Sequence, residues 1–430
     1  MNRKYALTAS LLLLALAFSP ITNSLADQAR EVVSKPAITT ITIWYEGESP
    51  TVLDEIKAGF EIMNPDISVT LVQKPDLFNK FIAAASSGGG PDLVLGPQDF
   101  IIPFADLGLL QAVDNEFNPA DFVEQTVAGA LWNGHYWGVP NLYGNHLMLY
   151  YNKNLLATAP LDTTEMINVA KSLTGSGQYG LVYHIDEPFW LIPWLTGFGG
   201  WVFDESIDPP FPTLNTPEMV DALQFTYDLR YVHGIVPDGA DDMDYGYNLF
   251  WDGKAAMIIN GDWTLDAYRD HFGEANLGVA LIPQVVETDQ WPVPLVTGWY
   301  YSLNKNSHGA ALAASKLFIQ YATSKPAQLL WPAETGYGVK LPALLEAFND
   351  PVVQADPILK ASADQASIGR VMPTSDSMSC VWNAIFDPLQ LLWDDLVTPQ
   401  AAADAMQADA EQCYTEITRT WLYLPVVQKP

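Results

Sequence analysis

The chain is poor in basic residues, cysteine and histidine: its 430 residues include 20 Lys+Arg against 50 Asp+Glu, with two Cys and six His. A net charge of −30 repels phosphate backbones and anionic headgroups, which excludes nucleic acid and anionic lipid as partners. The histidines are dispersed, and no H-E-x-x-H, G-x-S-x-G or P-loop is present. Motif-borne metal, serine-nucleophile and nucleotide chemistries are therefore missing, and no cofactor is expected. The two cysteines do not form a C-x-x-C, which argues against dithiol redox chemistry. Beyond the first 26 residues no apolar run approaches the roughly 20 residues a membrane span needs. Even the stretch 142–151 is interrupted by Asn145 and His146.

What is abundant is apolar and aromatic. Hydrophobic residues make up 49% of the chain and charged residues only 16%, a composition that is neither disordered nor coiled-coil. The length suits two domains, each with its own core. Fourteen Trp and 12% aromatics point to ring stacking more than ion pairing.

Residues 1–26 read as a secretory signal. Arg3 and Lys4 form a positive start, residues 6–18 are apolar, Pro20 ends the run, and Ser24-Leu25-Ala26 places small residues at −3 and −1 before Asp27. The apolar part is short for a bilayer, and no Cys stands at the cleavage point to carry a lipid. The expected location is outside the cytoplasmic membrane, periplasmic or at the cell surface. There the two cysteines can oxidise. Cys380 and Cys413 lie in apolar-periodic segments on either side of a turn at Val397, Thr398 and Pro399. In an antiparallel helical hairpin the two would sit at about the same height, so a disulfide is geometrically reasonable; two buried thiols are the alternative.

The chain alternates strand and helix. Ile41, Ile43 and Tyr45 follow a period of two; Leu53, Ile56, Phe60 and Met63 share a helical face that stops at Asn64-Pro65; Ile67, Val69 and Leu71 return to the strand period. A further helix over 77–85 leads through glycines to the apolar run Leu93-Val94-Leu95, which reads as a buried strand. Strands separated by helices imply a largely parallel sheet covered on both faces. Later, Thr216 caps a helix with Pro217 at its first position and Val220, Leu223, Tyr227 and Tyr231 along one face. From about Val371 to Cys413 the chain reads as all helical.

Several stretches, in a shared order from about residue 40 to 415, resemble the extracellular solute-binding proteins of ABC importers, in particular the sugar-binding branch. Ile41 to Trp44 and Gly90-Pro91-Asp92-Leu93-Val94 resemble the family's opening, Gly108-Leu109-Leu110 a helix end, and Gly138-Val139-Pro140 with Tyr151-Asn152-Lys153 its first crossover. Three further stretches are similar to maltose- and maltodextrin-binding proteins. They are Asp186-Glu187-Pro188-Phe189-Trp190 leading to Gly199-Gly200, Asn260-Gly261-Asp262-Trp263, and Met372-Pro373 with Met378-Ser379 and Trp382-Asn383-Ala384. The resemblance implies an α/β fold of two lobes, type II periplasmic-binding-protein-like. Each lobe is a mixed sheet flanked by helices, the ligand cleft lies between them, and the C-terminal segment is helical. The expected organisation is a signal over 1–26, a polar lead-in over 27–37, a first lobe from 38–144 with 285–324, a second from 145–284 with 325–420, and a loose tail over 421–430.

The same resemblance implies a non-enzymatic monomer that captures an oligosaccharide, a malto-oligosaccharide first of all, closes by a hinge and delivers it to an ABC permease in the membrane. Sugar hydroxyls need acceptors and donors, and C–H faces need flat rings. Phe189, Trp190, Trp263 and Trp382 stand where the family stacks glucose. Glu48, Asp99 and Glu187 are the acidic candidates at strand and helix ends. Departures from the family pattern are Asn145 in place of a cleft glutamate, Gly96 in place of a Trp, Phe100 in place of a basic residue, Ser49 in place of a lysine and Asn383 in place of a Tyr. They make the pocket less charged and leave other carbohydrates, such as cyclodextrin or trehalose, as alternatives. A secreted glycoside hydrolase, which needs a carboxylate pair, and a ferric site built from Tyr150-Tyr151 and Tyr300-Tyr301 are more distant rivals. Adjacent strand residues face opposite ways, so one Tyr of each pair is expected in the core.

Overall fold

The computed structural model describes residues 38–46, 51–333, 341–373 and 376–423. The signal and lead-in (1–37), Glu48 and the last seven residues of the expected tail lie outside the described residues.

From its first described residues the chain runs strand Thr39–Tyr45 (β1), helix Thr51–Met63 (α1), strand Ile67–Gln73 (β2), helix Leu77–Ser86 (α2) and strand Leu93–Pro97 (β3). α1 forms because Val52, Leu53, Ile56 and Phe60 recur at helical spacing and bury together; it stops where Asn64 turns back onto the Phe60 carbonyl and Pro65 follows. β1 pairs in parallel with both β2 and β3, and Ile41, Ile43 and Tyr45 enter the core on alternate positions. This is the alternating unit read from the sequence.

Strand Val139–Gly144 (β4) is followed after only Asn145 and His146 by strand Leu147–Asn152 (β5). Helix Thr163–Leu173 (α3), strand Tyr179–Val182 (β6), helices Pro188–Gly197 (α4) and Pro217–Tyr231 (α5), strands Ala255–Gly261 (β7) and Leu277–Ala280 (β8) come next. The chain then forms strand Leu295–Asn304 (β9), helix Gly309–Ala322 (α6), strand Leu341–Pro342 (β10) and helices Pro357–Ser367 (α7), Asp376–Trp393 (α8) and Pro399–Tyr423 (α9). One sheet has the order β10-β4-β9-β3-β1-β2; the other has the order β8-β5-β7-β6. β9 enters the first sheet antiparallel to β3 and β4, and β5 enters the second antiparallel to β7 and β8, so both sheets are mixed. Each sheet carries its own core: Ile41, Phe60, Leu93, Tyr301 and Phe318 around the first, and Leu149, Leu181, Met257, Leu223 and Ile385 around the second. The chain is a two-lobed α/β protein.

Two expectations are corrected by packing. The boundary at 324/325 does not coincide with the change of sheet: Ala327, Trp331 and Ala343 bury in the first core, and β10 pairs with β4. Lys325-Pro326 opens a short helix, and Gln328 then accepts the Leu344 N–H, so the chain stays on the first sheet before moving on. In α5 the buried side is Met219, Ala222, Leu223, Thr226 and Leu229, not the side bearing Tyr227 and Tyr231. Those two rings stack on each other, and their hydroxyls donate to Asp395 and to the Trp393 carbonyl, which keeps the polar rims near the surface. At the tail, residues 421–423 continue α9.

α8 and α9 form an antiparallel hairpin against α4 and α5, with Val381, Ile385, Leu389, Ala402, Met406 and Ala410 in the second core. Thr398 caps α9 through its hydroxyl, which accepts the Ala401 N–H, and Cys380 and Cys413 are joined by a disulfide with Cα atoms 5.5 Å apart. Among the described residues no helix is long and apolar enough to cross a membrane. The bond closes a loop with a separation of 33 residues. Cys413→Ser is expected to lower unfolding free energy by about 2–4 kcal/mol in denaturant titrations, and dithiothreitol should do the same to the parent.

Candidate functional site

The second sheet and the helices packed on it bring three rings to one place. Phe189 sits in the first turn of α4, which starts because Glu187 holds extended backbone and Pro188 occupies the first helical position. Trp263 lies in the short turn Asp262–Thr264 directly after β7, and Trp382 lies in the second turn of α8. The Phe189 ring stands 6.2 Å from Trp263 and 6.4 Å from Trp382, tilted at 50° and 44°. All three are half-buried. Tilted, half-buried rings leave apolar faces open, the arrangement that fits the C–H face of a flat, hydroxylated ligand.

Trp190 is different. It is only 7% exposed and donates its indole N–H to the Ile259 carbonyl of β7 at 2.9 Å. Its edge meets Trp263 at 6.1 Å and 83°. Trp190 therefore supports the Trp263 ring from behind and presents little surface of its own. Gly261 supports it by absence: a Cβ there would stand 2.2 Å from the Trp263 ring, so only glycine lets the indole fold back over the end of β7.

Glu187, at the N-terminal cap position of α4, is half-buried. Loss of solvent pushes its carboxyl above the usual range, with nearby His184 acting in the opposite direction. His184 stands 3.3 Å from buried Asp186 and edge-on to Trp190, its Nε2 also facing the Asp241 carbonyl. His184 and Asp186 were not singled out by sequence reasoning, although Asp186 adjoins Glu187 in the same stretch.

Asp99 belongs to the first sheet. It lies in the short turn Gln98–Phe100 that follows β3, at the carboxyl end of a parallel strand, where open α/β sheets place their ligands. Its surface is open to solvent while protein surrounds it closely, and that desolvation raises its carboxyl pKa. Its neighbour Gln98 is fully buried and donates to the Met372 carbonyl at 2.9 Å, tying this turn to the segment that leads into α8 and Trp382. Phe100 fills the space above Gly96, where a Cβ would stand 2.8 Å from the Phe100 ring. These two departures from the family pattern are thus one feature: a ring from position 100 occupies the face that a side chain at 96 would cover.

Asn145 stands in the two-residue link between the sheets with a φ of 56°, the left-handed region that asparagine tolerates better than most residues. Its N–H donates to Asp262 at 3.0 Å, so the link and the Trp263 turn are hydrogen-bonded. Sequence reasoning quoted Asp262 only as part of a motif; its burial beside Trp263 is what marks it. Of the tyrosine pairs, Tyr150, Tyr300 and Tyr301 are buried, with the Tyr150 and Tyr300 hydroxyls donating to backbone carbonyls, and only Tyr151 is half-buried. Both members of the second pair, not one, are core. Among the described residues no cluster of His, Cys, Asp and Glu has metal-ligand geometry.

The chain is similar to known sugar-binding proteins along most of its length. The maltotriose-binding protein of Pyrococcus abyssi is 27% identical over 360 residues, covering 80% of this chain and 75% of that protein. A maltooligosaccharide ABC transporter solute-binding lipoprotein of Streptococcus pneumoniae is 25% identical over 429 residues, covering 94% of this chain and 93% of that one. The maltose/maltodextrin-binding domain of Bdellovibrio bacteriovorus, solved bound to maltotriose, is 33% identical with a TM-score of 0.72, covering 88% of this chain and all of that one. The family model for bacterial extracellular solute-binding proteins matches residues 55–361, most of the chain, and the chain belongs to that family.

Proposed function

We propose that the protein captures a malto-oligosaccharide outside the cytoplasmic membrane and hands it, uncleaved, to an ABC permease. The observation that carries this reading is the open platform of Phe189, Trp263 and Trp382, with Glu187 beside it and Asp99 on the other sheet. Rings on one lobe and a carboxylate on the other suit a ligand that is apolar on its faces and hydroxylated on its edges. Malto-oligosaccharide is favoured over other sugars because relatives named for maltotriose and maltooligosaccharide align along most of the chain. Binding draws the lobes together about the short link at Asn145, and the closed shape is what the permease reads.

The raised carboxyls of Glu187 and Asp99 fit this role. Glu187 is half-buried, so the empty site holds its carboxyl in poorer solvent, and sugar hydroxyls that donate to it repair that loss.

Calorimetry and thermal-shift titrations with maltotriose, cyclodextrin and trehalose test the proposal. Maltotriose should bind and raise the melting temperature by mass action, and no new reducing ends should form. Tighter binding of cyclodextrin or trehalose would move the specificity, and release of reducing sugar would overturn the transport reading. Trp263→Ala should weaken maltotriose by about 1–3 kcal/mol while the empty protein melts normally. Glu187→Gln should also weaken it. Because the folded pKa of Glu187 is raised, its favourable contribution to stability is complete below the unfolded value and is lost as pH rises through the folded one. The substitution should therefore stabilise the empty protein near pH 7 and have little effect below about pH 4, as read by denaturant titration at both.

A further inference from the structure

We propose that His146 is a positioning residue for the saccharide site: with Ser362 and Asp262 it forms a buried polar relay that fixes Asn145 and the Trp263 ring. The inference rests on the saccharide reading above and names the device that sets the geometry of that site.

Local backbone poses the problem. The link between β4 and β5 has only two residues, and Asn145 must take a left-handed conformation to make it. Its N–H is satisfied by Asp262 Oδ2 at 3.0 Å, and Asp262 returns its own N–H to the His146 carbonyl at 3.0 Å. The link and the Trp263 turn are thus laced together by two hydrogen bonds. Asp262 is 2% exposed, however, and a buried carboxylate needs more than one N–H.

His146 packs against that carboxylate. It is completely buried, its Nδ1 faces Asp262 Oδ2 at 3.4 Å, and its Nε2 meets the Ser362 hydroxyl of α7 at 3.2 Å. The 3.4 Å contact is at ion-pair distance and outside hydrogen-bond alignment. α7 is itself registered against the segments that join the sheets. The Tyr143 hydroxyl at the end of β4 donates to the Ala366 carbonyl, and Gln365 accepts the Ile282 N–H at 2.7 Å just after β8. The relay therefore runs from α7 through His146 to Asp262, and from there directly to the N–H of Asn145 and, one residue along the chain, to Trp263. The Gly261 carbonyl, which accepts from Tyr150 and Thr264, anchors the other end of the same turn.

Ser, His and Asp in line also describe a nucleophilic triad. Here Ser362 is 2% exposed and His146 fully enclosed, so a substrate carbonyl has no approach to the hydroxyl. Holding, not attack, is what the geometry allows. A shift of the imidazole by a few tenths of an ångström is transmitted to both site residues because neither is separated from the relay by a flexible side chain.

The test uses the mature chain with Ser362→Ala, His146→Gln and His146→Leu, and two readouts. In the empty protein labelled with 5-fluorotryptophan, the Trp263 fluorine signal, assigned by its loss in Trp263→Phe, should shift or broaden in Ser362→Ala and His146→Gln. The Trp194 signal, assigned in the same way and deep in the second core, should stay in place. For maltotriose, His146→Leu should raise Kd roughly tenfold or more, Ser362→Ala and His146→Gln less, and the loss should be less than additive with that of Trp263→Ala. If His146→Leu does not fold, Ser362→Ala, which removes one hydroxyl, decides. An unmoved Trp263 signal with parent-like affinity in Ser362→Ala and His146→Gln overturns the inference. A parent that binds no maltotriose while its Trp263 signal still answers to these variants overturns the saccharide reading and upholds the relay.

Discussion

The contacts of the Phe189 ring with the indoles of Trp263 and Trp382, at 6.2 and 6.4 Å, are the constraint on which the rest of the site depends. Their carriers are a helix start, a turn after a strand and a long C-terminal helix, separated by many tens of residues. Dispersion between tilted rings is weak for each pair and does not by itself hold such distant elements in register. The second core supplies the stiffness. Trp190 locks α4 to β7 through its indole hydrogen bond, and the disulfide-linked hairpin of α8 and α9 carries Trp382 on its first helix. Rigid elements beneath and half-exposed faces above give a preorganised surface, and preorganisation is what converts a modest contact area into affinity.

Two chemistries meet across the fold. The ring platform belongs to the second sheet, while Asp99 follows β3 of the first. A ligand that requires both draws the sheets together, and the segment that must bend contains Asn145 in a conformation few residues adopt comfortably. The relay beneath that segment couples the bend to the ring it serves. The half-buried Glu187 carboxyl, held above its usual pKa, fits the same logic: a group poorly solvated when the site is empty gains most from the hydroxyls that fill it.

Much of this was legible in the chain because period and punctuation are local. Ile41, Ile43 and Tyr45 alternate, Asn64-Pro65 stops a helix, and Thr216-Pro217 starts one, each for reasons contained within a few residues. Equal spacing about a turn made a disulfide reasonable beside two buried thiols, and the structure forms the bond. What could not be read is what depends on partners far away in sequence. Lys325-Pro326 looks like an end, yet Gln328 and Trp331 keep the chain on the first sheet through contacts with Leu344 and the first core. Trp190 and Phe189 are neighbours of similar character, and only the reach of one indole to Ile259 separates support from surface. Asp262 was visible only as one letter of a motif and His146 only as an interruption of an apolar run; burial and a contact across 116 positions give them meaning. Gly96 and Phe100 looked like two losses and are one exchange.

The most direct measurement is a crystal structure of the mature chain with maltotriose. The account requires glucose rings lying flat against Trp263 and Trp382 within van der Waals contact, hydroxyls donating to Glu187 and Asp99, and the two sheets closer together than in the empty protein. A sugar bound elsewhere, or bound between the lobes with those indoles turned edge-on and both carboxyls unpaired, would contradict it.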